Sequence, residues 1–312
     1  MNDQPALSVV LPTLDEGGGL RVLLPRIAEL FKTLGVSGEI LVIDGGSKDD
    51  TVEVARAAGA RTLRQKGRGF GSAVREGIAA ASADWVAILD ADGSHAPEAL
   101  VRFWARRGEA DLIVGSRYCR GGSAEMPLTR QILSRSLNMV AKRWLELPVR
   151  ESSSGFRLYR RAAAVAVNSA ATDFSVQQDL LVGILAAGGR VVEEPIHYAP
   201  RVAGASKANA WKLLPAYIRL LWRLKFRRGW ASEGWLAAVL LLAAACGGRR
   251  VAAGAFFVHE IGRLRWGRTP ALLAAAAWAL APLAGLPSAG AWAAAGAVWF
   301  AAAALDMAFP NA

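Results

Sequence analysis

Trp85-Val86-Ala87-Ile88-Leu89-Asp90-Ala91-Asp92-Gly93-Ser94-His95 is the stretch on which the reading of this chain turns. An apolar run of strand length ends in two carboxylates separated by one residue. Alternate residues point to the same side of a strand, so Asp90 and Asp92 can turn toward one point and share a divalent cation. Mg2+ or Mn2+ suits such oxygen donors and commonly keeps substrate phosphates in its coordination shell. Read alone, the same acids serve equally well as surface residues capping helices. An Asp-x-Asp is informative only where it closes a buried strand of a parallel sheet.

The flanking sequence supplies such a sheet. Short β-rich runs at 7–11, 40–43, 61–63, 85–89 and 112–114 alternate with amphipathic stretches at about 19–34, 49–58, 71–81 and 97–107. Strand–helix alternation at this spacing predicts an α/β fold with a mostly parallel, Rossmann-like sheet flanked by helices. Ligands of such sheets sit beyond the carboxyl ends of the strands. A second acidic strand end follows the run at 40–43: Asp44-Gly45-Gly46-Ser47, then Asp49, Asp50 and Thr51. In the loop from 63 to 77, Lys66, Arg68 and the glycines at 67, 69 and 71 form a candidate phosphate cradle. Helices are expected near 129–145 and 174–187, and a last strand near 190–196.

Composition narrows the class. The chain has 312 residues, 53% of them apolar and 20% charged, with a mean hydropathy of +0.26. Disorder is excluded, and the chain is too apolar for an ordinary cytosolic enzyme. Two distant cysteines and three scattered histidines exclude a disulfide framework and a His/Cys metal cluster. Residues 1–199 are nearly neutral, with 24 Lys+Arg against 23 Asp+Glu, whereas residues 200–312 hold 13 against 3 and eight of the eleven tryptophans. Basic residues and tryptophan bordering long apolar runs suit a membrane with anionic head groups. Nucleic acid is the competing partner for such charge, but the basic residues border apolar runs instead of forming a polar patch, so no nucleic-acid partner is expected.

The amino terminus lacks signal-peptide order, so residues 1–207 are expected to stay cytoplasmic as one domain. Residues 208–230 place an apolar stripe among six basic side chains, as an interfacial helix does; a soluble amphipathic helix closing the domain is the alternative. Residues 231–312 contain the runs 270–287 and 289–309, each near the roughly 20 residues of a span, and a membrane hairpin is expected there. Earlier runs at 235–248 and 251–258 are interrupted by Arg249-Arg250, and a buried helical bundle is the soluble alternative for the whole segment.

Several motifs occur together and in order. Pro12-Thr13-Leu14-Asp15-Glu16, Asp44-Gly45-Gly46-Ser47 and Asp90-Ala91-Asp92-Gly93-Ser94-His95 are followed by Gly115-Ser116-Arg117-Tyr118 and Pro127-Leu128-Thr129-Arg130. Then come Ser134-Arg135, Asn138, Ser154-Gly155-Phe156-Arg157-Leu158-Tyr159, Gln177-Gln178-Asp179, Pro195-Ile196, Arg201 and Ser206-Lys207. Over about residues 7–210 the chain resembles family 2 glycosyltransferases of the GT-A fold, and within them the dolichyl/polyprenyl-phosphate mannose synthases. The resemblance implies that Asp90, Asp92 and Gln177 hold a metal on the donor diphosphate. Pro12, Asp15 (usually Asn in that family), Glu16 and Asp44 would line the nucleotide pocket. Arg117, Arg130 and Ser134 would hold a lipid phosphate, with Arg201 and Lys207 nearby. Gly45 replaces an Asp common in the family, and Glu151 replaces the Asp before the Ser-Gly-Phe-Arg run.

The chemistry fits those residue types. Departure of a nucleoside diphosphate leaves negative charge that a divalent metal neutralises. A lipid monophosphate is already an anionic nucleophile and needs no general base, only positioning by forked arginine donors. The expectation is a polyprenyl-phosphate mannosyltransferase of the inner membrane. It would use GDP-mannose, a polyprenyl phosphate and Mg2+ or Mn2+, and would invert the anomeric centre. A UDP-glucose-dependent glucosyltransferase, another lipid-acceptor enzyme of the family, or a catalytically silent sugar-nucleotide-binding scaffold are the alternatives.

Overall fold

The computed structural model describes residues 4–200 together with Leu220, Leu221 and Leu224. In chain order the first half runs β1 (Leu7–Thr13), α1 (Gly17–Leu34), β2 (Gly38–Asp44), α2 (Thr51–Ala57), β3 (Arg61–Arg64), α3 (Phe70–Ala80) and β4 (Trp85–Ile88). A 3-10 turn (Pro97–Ala99) leads into α4 (Leu100–Ala105), then β5 (Leu112–Ser116), β6 (Ser123–Ala124) and α5 (Leu128–Leu145). The chain continues through β7 (Arg157–Arg160), α6 (Arg161–Ala166), α7 (Val176–Ala186), β8 (Val191–Pro195) and β9 (His197–Tyr198). Each strand and helix expected between residues 7 and 196 is present within about two residues of its expected ends, counting the 3-10 turn with α4.

Seven strands form one sheet in the order β3-β2-β1-β4-β7-β5-β8, and β6 pairs with β9 in a second, small sheet. All pairings in the large sheet are parallel except those of β7, which runs antiparallel to both β4 and β5. Strand β7 escaped the sequence reading for a physical reason. Its four residues, Arg157-Leu158-Tyr159-Arg160, begin and end in arginine, and its partners lie about 45 and 70 residues earlier in the chain. The two-residue strands β6 and β9 are too short to show periodicity.

Alternation along each strand builds a core on both faces. Val9 and Leu11 of β1, Val42 of β2 and Ala87 of β4 pack with Leu20, Leu23 and Ile27 of α1 and Phe103 of α4. Val10, Leu41, Ile43, Val86 and Ile88 face the other way, toward Val74 and Ile78 of α3 and Leu180 and Leu181 of α7. Covering both faces explains why these strands read as near-continuous apolar runs. Leu220, Leu221 and Leu224 are helical and buried, and they belong to that second cluster. No helix among the described residues is long and apolar enough to cross a membrane. The expected spans, in 231–312, lie outside the described residues, as do the remaining residues of 208–230.

Candidate active site

The carboxyl ends of β1, β2, β4 and β5 converge, as a parallel sheet requires. Beyond β4, Leu89 still donates its N–H to the Val10 carbonyl at 3.2 Å, and the chain then turns through Asp90-Ala91-Asp92. Asp92 is 4% exposed, and its Oδ1 accepts from the Ser94 N–H at 3.0 Å and the Ser94 hydroxyl at 2.5 Å. Asp90 is about one third exposed. Two glycines let neighbouring segments close on this loop. A Cβ on Gly19 of α1 would lie 2.1 Å from the Ala91 carbonyl, and one on Gly155 would lie 2.9 Å from Asp90 Oδ1.

His95 backs the same loop. Its Nδ1 is 3.8 Å from Asp90 Oδ2, and its ring contacts Phe156 and Tyr198 at centroid distances of 5.2 and 5.4 Å. Burial pushes its pKa down to about 4 against the opposing pull of Asp92, so the imidazole is neutral at physiological pH.

The donor side is a pair of stitched loops. Asp15 adopts a left-handed conformation, φ 58°, which short polar residues tolerate best. Its N–H donates to Ser47 Oγ at 2.9 Å, and its Oδ1 accepts from the Lys48 N–H at 2.7 Å. The N–H groups of Glu16 and Gly17, at the start of α1, donate to Thr51 Oγ1 and Asp49 Oδ2. Asp44 is buried at the end of β2, where it accepts from the Gly46 and Ser47 N–H groups and from Arg64. Burial raises its pKa, but hydrogen bonds from Ser47 and Gly46 and the Arg64 charge outweigh that, so the carboxyl lies below its usual range. Pro12 is partly buried in β1, opposite Ile43.

The expected backbone cradle at 66–71 is partly filled from within the protein. The Lys66 and Gly67 N–H groups donate to the Glu76 carboxylate at 2.8 Å each, and the Gly71 N–H donates to the Thr172 carbonyl. The side chains of Lys66 and Arg68 stay exposed there.

On the opposite side, Arg117 leaves the end of β5 and meets a counter-ion, Glu151. Glu151 is fully buried and accepts from the Arg117 N–H at 2.7 Å, from Nε at 2.8 Å and from Nη2. The guanidinium also lies over the rings of Tyr118 and Tyr198, at 5.2 and 5.3 Å. Burial lowers the Arg117 pKa, but the Glu151 charge and hydrogen bonds raise it further, so the side chain is a fixed cation. Arg130 is exposed in the first turn of α5 and Ser134 half-buried one turn on.

Helix α5 is tied to the turn at 152–154. Asn138 Oδ1 accepts from the Ser152 N–H at 2.8 Å, and its Nδ2 donates to Ser153 Oγ at 3.0 Å. From the other side Arg157, fully buried, donates to the carbonyls of Ser152, Ser154 and Gln177. Gln177 is itself buried, and its Oε1 accepts from the Tyr159 hydroxyl at 3.4 Å. Arg201 and Lys207 lie outside the described residues.

Whether these residues suit a metal is answered by the donor set. Asp90 and Asp92 offer hard oxygen donors, and no group of three or more His, Cys, Asp or Glu forms a metal cage among the described residues. Two carboxylates without a closed cage fit Mg2+ or Mn2+, which keeps sites for phosphate and water, and do not suit a structural zinc. Tyr198 is not singled out by the sequence, and Glu151 is marked there only as a departure from the family, not as the partner of Arg117. Both act through contacts from distant segments, and nothing local signals those contacts.

The profile described as Glycosyl transferase family 2 matches residues 8–166. The chain is 31% identical over 229 residues to a dolichol-phosphate mannosyltransferase of Pyrococcus furiosus, covering 70% of this chain and 63% of that protein. It is 33% identical over 205 residues to an uncharacterised glycosyltransferase of Mycobacterium tuberculosis, covering 65% of this chain and 90% of the other. Among solved structures it is similar to glucosyl-3-phosphoglycerate synthase of M. tuberculosis in complex with Mn2+, UDP and phosphoglyceric acid. That likeness has a TM-score of 0.57 at 22% identity and covers 72% of this chain and 79% of the other. The same enzyme with Mg2+ and UDP gives a TM-score of 0.55 at 21% identity, again covering 72% and 79%. At that identity the likeness shows the fold.

Proposed function

The chain belongs to glycosyltransferase family 2, and from that premise we propose that it transfers mannose from GDP-mannose to a polyprenyl phosphate in a metal-dependent, inverting step. One observation carries this reading: a single ring, Tyr198, touches both His95 of the acid loop and Arg117, at 5.4 and 5.3 Å. Carboxylates suited to a donor diphosphate and a permanent cation suited to an acceptor phosphate are therefore neighbours.

In this reading Asp90 and Asp92 hold Mg2+ or Mn2+, with Gln177 completing the set. The ion, when bound, neutralises charge on the departing diphosphate. The stitched loops of Pro12, Asp15, Glu16 and Asp44 shape the nucleotide side, and Lys66 offers a flexible charge to its phosphates. Arg117, Arg130 and Ser134, with Arg201 and Lys207, orient the acceptor phosphate. Glu151, the buried carboxylate beside Arg117, is committed to that arginine, and burial holds the His95 pKa down to about 4, which makes its imidazole a weak base. An acceptor that is already an oxyanion needs none.

Residues 1–207 form the catalytic domain in this account, 208–230 an interfacial helix and 231–312 the membrane part, with catalysis at the cytoplasmic face of the inner membrane. The basic, tryptophan-rich composition of 200–312 supports it. A UDP-glucose donor is the second reading, favoured by the UDP and UDP-glucose held in structures of similar fold. Purified full-length protein, polyprenyl phosphate and a panel of labelled GDP- and UDP-sugars decide between them. Mannosyl lipid from GDP-mannose is the expected product; transfer only to a water-soluble acceptor would refute the lipid assignment.

A further inference from the structure

Helix α5 is pinned to the domain by one face and leaves the opposite face open. Asn138, Ala141 and Leu145 are buried on the inner side. On the outer side Leu128 is 69% exposed, Ile132 56%, Met139 63% and Val140 48%. These are four of the nine large apolar side chains exposed among the described residues, concentrated on one helix of 18 residues. Leu128, Ile132 and Met139 follow one another at helical spacings of four and seven, so they form a single stripe. Arg135 and Arg143 fall in the same register and are exposed beside it. With Arg130 and Lys142 the helix carries four basic residues and no acid between Leu128 and Leu145.

A helix with an outward apolar stripe, cationic side chains beside it and no acidic residue is poorly matched to water on that side and complements an anionic lipid surface. We propose that the outer face of α5 lies in the head-group layer of an anionic bilayer, with Leu128, Ile132, Met139 and Val140 entering the acyl boundary. Arg135 and Arg143 meet lipid phosphates there. The inference rests on the lipid-acceptor reading and deepens it: Arg130, in the first turn of the same helix, is thereby held at the depth where a lipid phosphate emerges. This membrane contact lies within the domain itself and is additional to the expected 208–230 helix.

The test places a polarity-sensitive fluorophore on full-length protein reconstituted in vesicles, using Ile132→Cys or Met139→Cys in a Cys119→Ser, Cys246→Ala background. A probe at Glu53→Cys on α2 is the control. In vesicles containing phosphatidylglycerol, both α5 probes should shift to the blue and be quenched several-fold by a nitroxide on the lipid chain near its carbonyl. The control should stay wet and unquenched. Probes that remain as wet as the control would overturn the proposal. So would dry probes indifferent to the lipid nitroxide: cover independent of protein density then comes from this chain, and cover that grows with density from a second copy. No sugar transfer is needed for the readout. A lipid-quenched probe on a protein that fails to use lipid phosphate would therefore sink the acceptor assignment alone.

Discussion

Glu151 grips Arg117 at three atoms, accepting from its backbone N–H at 2.7 Å and from its guanidinium through Nε at 2.8 Å and Nη2. Glu151 is fully buried and the Arg117 side chain is only 13% exposed. Breaking such a pair leaves an uncompensated buried charge, at a cost of about 3–5 kcal/mol. Glu151→Gln should therefore lower the unfolding midpoint markedly, while Glu151→Asp keeps the charge and loses much less. Thermal unfolding of the two variants checks this; equal midpoints would mean that the pair contributes nothing to the fold.

Turnover should depend on Asp90 and Asp92 far more than folding does. In Asp92→Asn the side-chain oxygen still accepts from Ser94, so the loop keeps its shape while losing the charge a metal needs. Rates should fall on the order of 10²–10³ or more in either Asn variant, as when preorganised electrostatic stabilisation is removed. EDTA should silence the wild type reversibly. Full activity after exhaustive chelation would rule out a metal role.

Gly155 and Gly19 separate local from global effects. Alanine at 155 places a methyl 2.9 Å from Asp90 Oδ1, so the carboxylate must move. Alanine at 19 drives a methyl to 2.1 Å from the Ala91 carbonyl, and backbone cannot swing aside as a side chain can. Gly19→Ala should cost about 1–3 kcal/mol of stability. Gly155→Ala should cost less stability yet weaken Mn2+ binding, read by isothermal titration. Unchanged Mn2+ affinity in Gly155→Ala would show that Asp90 lies outside the metal site.

Acid should expose the role of Asp44. Its folded pKa is depressed below the unfolded value of 3.8, so its contribution is complete above that value and is lost as pH falls through the folded pKa. Asp44→Asn should be less stable than wild type at pH 7, and the gap should narrow below about pH 4. A gap that stays constant down to pH 2 would contradict this assignment.

Chain length gives a last check. Leu220, Leu221 and Leu224 are 7%, 5% and 0% exposed, within the cluster that holds Val74, Ile78 and Leu181. Fully burying a leucine contributes roughly 1.5–3 kcal/mol. A chain ending at Gly229 should bind sugar nucleotide, and one ending at Lys207 should be several kcal/mol less stable in denaturant titrations. Equal stability would mean that the three leucines add nothing to the core.

The sheet was legible because its parallel strands are buried on both faces and read as uninterrupted apolar runs, with Asp44 and Asp90 marking two of their ends. Less legible were features made by distant contacts. Glu151 is 34 residues from Arg117, and a lone glutamate before three serines carries no local signal of pairing. The glycine-rich run at 66–71 misled for the opposite reason. Its composition suits anion capture, but Glu76, nearly two turns into α3, supplies an anion internally to the Lys66 and Gly67 N–H groups. Arg157 stood in a recognised motif, yet its burial against three carbonyls with no acid among those contacts is visible only in three dimensions.

Strand β7 runs against its two neighbours, and its first residue, Arg157, is level with Ile88 and Val114. The segment entering β7 therefore arrives at the rim where every parallel strand is departing. In a uniformly parallel sheet that rim is furnished only by outgoing loops, each of which must also begin a crossover back to the far edge. Here an incoming segment, 151–156, reaches Asp90 and Arg117 from the opposite direction and owes no geometry to the next crossover. Its chemistry is fixed by what it meets there, since Gly155 leaves room for Asp90 and Glu151 holds Arg117, so a single change in this short stretch is felt on both the acid loop and the cationic side.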